Sequence, residues 1–150
     1  MSNIAPYGFE SFSNYKLNPN ICNMTNKQID EFLAEIGRIP LLTHEEELVL
    51  LKAVQKNGVH CDEMKLLEKA NMRFIVSLIN HYQNRGLTFG ELINVATAGV
   101  RMAAEQYDFA GDEKFIAHAV GLMRQQLEQA ISEKEAPNGF NNNELESSVQ

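Results

Sequence analysis

Two copies of the pattern Thr-x-x-Glu, at Thr43–Glu46 and Thr88–Glu91, constrain this chain more than any other feature. In such a capping box the threonine hydroxyl accepts the backbone N–H three residues on. The glutamate carboxylate reaches back to the threonine's own N–H, so both otherwise orphaned donors are satisfied. Each box therefore marks where a helix begins. The first also follows a stop signal, because Gly37 ends a preceding helix and Pro40 has no N–H with which to continue it. Glu45, Glu46 and Glu47 then fall in the first turn of the new helix, where carboxylates meet the positive end of the helix dipole.

Between these marks the apolar residues repeat at helical spacing and strand signals are absent. Ile29, Phe32, Leu33 and Ile36 give one face of a helix over residues 26–36. Leu48, Leu50, Leu51 and Val54 give a second, from Thr43 to near Gly58. Leu66, Leu67, Ala70, Phe74, Leu78 and Ile79 predict one long third helix over residues 62–84, closed by Gly86 as a left-handed cap. A fourth runs from Thr88 to about Tyr107. Gly111 breaks the chain, Asp112 can cap, and a fifth helix reaches about Ile131. The expected fold is all-α, a helical domain of about five helices over residues 25–133. Residues 1–24, polar and rich in Asn and Ser, are expected to form a flexible arm. Residues 134–150, with Pro137, Gly139 and three successive asparagines, are expected to form a disordered tail.

Composition narrows the function. The 150 residues carry 20 acids against 13 bases, a formal charge of -7, so no global field draws the chain to nucleic acid. Two cysteines, Cys22 and Cys61, are too few for a disulfide framework, and a reducing, cytoplasmic setting fits. No apolar run approaches the roughly 20 residues that span a bilayer, and no signal peptide is expected. His44, His60, His81 and His118, with Cys61, lack the spacing of a metal site. No Gly-rich phosphate loop and no nucleophile–base order is present. Neither an enzyme nor a cofactor is expected.

Four segments carry a family resemblance: residues 32–47; Ala70-Asn71-Met72-Arg73-Phe74-Ile75-Val76-Ser77; Tyr82-Gln83-Asn84-Arg85-Gly86-Leu87; and Glu91-Leu92-Ile93-Asn94. In that order and spacing they resemble the bacterial primary sigma factors of the sigma-70 family. The likeness continues through Glu105-Gln106-Tyr107-Asp108, residues 114–120 and Arg124-Gln125, and so covers roughly residues 30–131. The variants resemble those of the Bacteroidetes in particular. The resemblance implies an all-helical domain that docks on the β′ subunit of the RNA polymerase core, then recognises and melts the minus-ten promoter element. The family's later domains, which read upstream promoter DNA, are expected to be missing.

By the same resemblance, Glu91, Asn94, Val95 and Thr97 occupy the polymerase-binding patch. Tyr107, Phe109, Lys114, Phe115, His118, Arg124 and Gln125 occupy DNA-binding positions. The departures fall on those positions. Asn94, Val95, Ala96 and Thr97 replace a largely Gln-Glu-Gly-Asn run. Gly121 and Leu122 stand where the family has a Trp-Trp pair, and the chain contains no Trp. His118 replaces a base-stacking Tyr, and Glu113 an aromatic. Glu128 and Gln129 replace a small polar residue and a base. Opening a strand needs aromatic platforms for unstacked bases, and phosphate contact needs Lys and Arg. From Glu105 to Ile131 there are 5 acids and 2 bases, a net of -3.

The expected function is a role in transcription initiation or its regulation, with core polymerase bound and minus-ten recognition weakened or lost. The alternative is a protein-interaction module on the same scaffold, without DNA binding. Such a module would act as a sigma competitor or an anti-sigma decoy, or would self-associate through an apolar patch of Val95, Ala98 and Val100.

Overall fold

A computed structural model describes residues 24–111 and 113–139. Six α-helices follow one another: α1 (Asn26–Ile36), α2 (His44–Asn57), α3 (Asp62–Ala70), α4 (Met72–Ile79), α5 (Phe89–Gln106) and α6 (Phe115–Gly139). A 3-10 turn, Asn80–Tyr82, follows α4, and no strand occurs among the described residues. The fold is all-α, as the periodicity predicts. Both boxes form as read: Glu46 N–H donates to Thr43 Oγ1 at 3.1 Å and Glu91 N–H to Thr88 Oγ1 at 3.1 Å. A third box opens α1, where Thr25 pairs reciprocally with Gln28. The expected arm (up to residue 23), Cys22, the Asp112 cap and residues 140–150 lie outside the described residues.

The single third helix expected over residues 62–84 is divided. Asn71 leaves helical geometry (φ -97, ψ 5), and its side-chain Nδ2 donates to the Leu67 carbonyl at 2.8 Å. An Asn amide that binds the carbonyl four residues back competes with the helix's own ladder. After the break α4 buries Met72, Ile75, Val76 and Ile79, and Phe74, expected on the apolar face, is left partly exposed. The helical run then ends at Tyr82 rather than near Asn84. Asn84 (φ 66) and Gly86 (φ 108) shape the loop into α5, with Asn tolerating the left-handed region through its short polar side chain. At the other end α6 continues past Ile131 to Gly139. Among the described residues no helix is long and apolar enough to cross a membrane.

The core centres on α5, which buries Leu92, Ile93, Ala96, Val100, Ala103 and Ala104. Helix α6 lies along it with a stripe of one residue in four: Phe115, Ala119, Met123, Leu127 and Ile131, each at most 1% exposed. Rows of this spacing are the ridges by which helices interlock. The approach is closest at Gly99, where an added Cβ would lie 2.8 Å from Met123 Cα and 2.9 Å from its N. Helices α2 and α3 close the other side with Leu50, Leu51, Met64 and Leu67. Polar bonds pin these layers. Arg101 Nη1 meets Glu68 Oε2 at 3.0 Å, tying α5 to α3. Gln55 Nε2 donates to the Ala104 and Tyr107 carbonyls at 3.1 and 2.8 Å, satisfying acceptors that the C-terminus of α5 leaves open. Arg73 Nη2 donates to the Ile39 carbonyl at 2.9 Å, holding the α1–α2 loop against α4.

Two substitutions of one kind should move stability in opposite directions. Gly99→Ala forces a methyl into the α6 backbone and should destabilise the fold by about 1–3 kcal/mol, the usual cost of overpacking. Gly121→Ala meets nothing within 4 Å and should stabilise by about 0.5–1 kcal/mol through helix propensity. Urea unfolding of both variants checks the pair; a destabilised Gly121→Ala, or a neutral Gly99→Ala, would contradict the packing described.

Burial pushes the Glu68 carboxyl above its ordinary 4.5, although Arg101 pulls it down. The folded chain then holds that proton more tightly than the unfolded one, so this group's contribution to stability falls as pH rises from 4.5 through the raised value. The stability of Glu68→Gln relative to the parent should therefore improve as pH rises through that window, as read by denaturation midpoints at successive pH values.

Candidate functional site

The first two turns of α5 hold the residues expected to meet polymerase. Glu91 is the third residue of the helix, and its Oε1 accepts the Thr88 N–H at 2.8 Å. That hydrogen bond, helped by the charge of Lys134, holds the Glu91 carboxyl below its ordinary 4.5 against a small desolvation effect. A charged, partly exposed carboxylate thus stands at the start of α5. Asn94 is exposed three residues on, on the same side of the helix. Val95 is half-buried and packs against the core. Thr97 turns inward at 6% exposure, and its hydroxyl donates to the Asn94 carbonyl at 3.0 Å. The structure therefore brings Glu91 and Asn94 to the surface together and takes Thr97 out of it. Val100 is 1% exposed and belongs to the core, while Ala98 is half-buried. The apolar patch suggested for self-association is mostly core packing.

The junction between α5 and α6 gathers three of the aromatic residues singled out for DNA. Tyr107 meets Phe109 edge-on at 5.0 Å between ring centroids and Phe115 at 6.0 Å. Phe115 is buried at 1% exposure and Tyr107 is half-buried. Phe109 is 37% exposed, and Lys52 Nζ from α2 sits 5.6 Å from its ring centroid. The Tyr107 hydroxyl donates to the Glu113 carbonyl at 3.4 Å. The loop is held by Asp108, whose Oδ1 accepts the Ala110 N–H at 2.9 Å. His118 is half-buried, with Nδ1 3.6 Å from Glu113 Oε1 and Nε2 buried without a hydrogen-bond partner. Lys114 is exposed and, with His44 and Lys52, lines a cleft of about 360 Å³ beside Phe109. Chemically, this corner offers one open aromatic face and a few cations, with an acid among them.

Further along α6, Arg124 and Gln125 are exposed and make no hydrogen bond or ion pair among the described residues. One turn on, Glu128 is gripped by Arg85, whose Nη2 and Nη1 lie 3.2 and 3.4 Å from its two oxygens. Gly121 is exposed with open space beside it, and Leu122 is half-buried against the core. Three contributors were missed in the sequence: Lys52, Gln55 and Arg85. Each acts on residues at least 43 positions away, and no local spacing signals such a pairing.

Similarity to known proteins fits this architecture. Residues 30–58, which take in the latter part of α1 and all of α2, match the family described as sigma-70 factor, region 1.2. The chain is 39% identical over 103 residues to the RNA polymerase sigma factor SigA of Clostridium acetobutylicum, covering 69% of this chain and 27% of that protein. It is 34% identical over 109 residues to SigA of Listeria monocytogenes, covering 73% of this chain and 29% of that one. To SigA of Lactococcus lactis it is 34% identical over 116 residues, covering 74% and 30% respectively. The chain thus spans less than a third of the length of these curated relatives. The match to region 1.2 and the 34–39% identity over 103–116 residues support a sigma-70 family segment in this chain.

Proposed function

We propose that this chain acts in transcription initiation or its regulation as a sigma factor-like protein, without a catalytic step of its own. In this reading it docks on the RNA polymerase core and reads the minus-ten element weakly or not at all. The observation that carries the reading is the contrast between α5 and α6. At the start of α5 a charged carboxylate, Glu91, stands beside the exposed Asn94. On α6 the exposed surface at Gly121 is bare. Of the candidate stacking residues, Phe115 is buried, Tyr107 is half-buried with its hydroxyl engaged, and only Phe109 opens a face. Since stacking contributes roughly 1–3 kcal/mol per base, losing two platforms weakens strand capture by one to several orders of magnitude.

The acid count over residues 105–131 supports the same reading, though pairing tempers it. Glu128 is engaged by Arg85, so its charge is partly offset where Arg124 and Gln125 face outward. A Gln at such a position can pair with adenine in the major groove. Residual contact with a duplex edge is therefore compatible with poor capture of the open strand.

Fluorescence anisotropy with a labelled single-stranded minus-ten oligonucleotide at physiological salt tests the DNA half. The expected result is weak, unselective binding; selective, tight binding would overturn it. Gly121→Trp should be accommodated without loss of stability, since that position faces open space, yet should not restore selective binding by itself, because the other platforms and the acids are unchanged.

Glu91→Gln tests the polymerase half. It keeps an oxygen for the Thr88 amide and removes only the charge. Recovery of core polymerase by the tagged, nuclease-treated chain should fall roughly tenfold or more if the carboxylate meets a charged partner. Undiminished recovery would place the contact elsewhere.

A further inference from the structure

The last turns of the helical run through α4, the start of α5 and one side of α1 enclose an open groove of about 310 Å³. Ile29 and Leu33 of α1 form one wall, Leu87 and Phe89 the other, and the amides of Asn80 and Gln83 the rim. No charged residue lines it among the described residues, and Leu33 is left 38% exposed. A neutral trough lined by apolar side chains and amides suits a segment that brings large apolar side chains and few charges. It offers nothing to hold a phosphate or a charged surface.

We propose that the groove is occupied by the chain's own segment 7–15. The chain has 8 Phe and 4 Tyr in all, and four of these (Tyr7, Phe9, Phe12 and Tyr15) lie in the 23 residues that precede Met24. Those 23 residues carry only two charged side chains, Glu10 and Lys16, and of these only Glu10 falls within 7–15. Connectivity brings the segment to the right place. Met24 is partly buried against the core at the start of α1, less than two turns before Ile29. Asn18-Pro19-Asn20 is a turn signal that lets the preceding residues double back over α1. From Asn18 to Phe12 an extended chain spans about 20 Å, while α1 climbs only about 10 Å between Asn26 and Leu33. A tether this short holds the segment at an effective concentration near millimolar, so even a modest contact is populated.

Photo-crosslinking in the full chain tests this. Gln83→p-benzoylphenylalanine places the probe on the rim and leaves the apolar walls intact. Irradiation should yield a crosslink at monomer mass whose peptide maps within residues 1–23. The yield should drop several-fold when Phe9→Ser and Phe12→Ser are added. Crosslinks found only between two chains, or none to residues 1–23, would overturn the proposal. An undiminished yield in the doubly substituted chain would overturn it equally, by removing the aromatic side chains as the cause.

Discussion

The contact on which this structure rests is the one between α5 and α6 at Gly99. With no side chain there, the α6 backbone at Met123 comes within the distance that even a methyl group would occupy. Small residues accompany that closeness: Ala96 and Ala103 of α5 and Ala119 of α6 are all fully buried. The close approach lets the one-in-four stripe of α6 interlock along its length. Everything proposed for function follows from where this contact sets the two helices. It turns Val100 and Phe115 into core, puts Glu91 and Asn94 on one outer edge, and leaves Arg124 and Gln125 on another. A bulkier residue at the crossing would separate the helices and move both surfaces at once.

Helix α2 matters to the site in a way its position in the chain does not advertise. It lies within the segment that matches sigma-70 region 1.2, well before the residues expected to meet DNA. Yet Gln55 holds the Tyr107 carbonyl and Lys52 lies over Phe109. The α5–α6 loop is therefore shaped from behind by α2, and the single open aromatic face at this corner carries a cation beside it. A lysine over a ring competes with a base for that face by a cation–π attraction of about 0.5–1 kcal/mol at an exposed site. It can equally supply a charge to the phosphate next to a stacked base.

Local chemistry in the chain was legible wherever a few neighbouring residues settle the outcome. The Thr43 and Thr88 boxes form as their spacing requires, and the helices they open begin where expected. The break at Asn71 was not legible, because its neighbours have good helical spacing and only the bond from its side chain to Leu67 shows the interruption. Phe74 was misplaced for the same reason, since a continuous helix would have kept it in phase with Ala70 and Leu78. Among the candidate site residues, Glu91, Asn94, Lys114, Arg124 and Gln125 reach the surface, whereas Thr97 and Phe115 do not. Helical periodicity identifies an apolar stripe but leaves its edges open, and a threonine at the edge can bond its own helix and turn inward.

Charge was the least legible property of the site, and it bears most directly on nucleic acid. Counting acids and bases over residues 105–131 treats Glu128 as a bare repulsive charge, but the fold sets Arg85 against it from a loop 43 residues away. Both side chains remain substantially exposed, so the pair adds little to stability. Its effect is instead on the field, because a carboxylate with a guanidinium at 3.2 Å presents a dipole to an approaching phosphate. In the α5–α6 loop Asp108 serves the turn through the Ala110 amide and Glu113 lies beside His118. The acids of this chain are thus unevenly matched by cations. Where α6 faces outward with Arg124 and Gln125, Glu128 is offset by Arg85, and at the α5–α6 corner Glu113 stands among Lys52, Lys114 and His118.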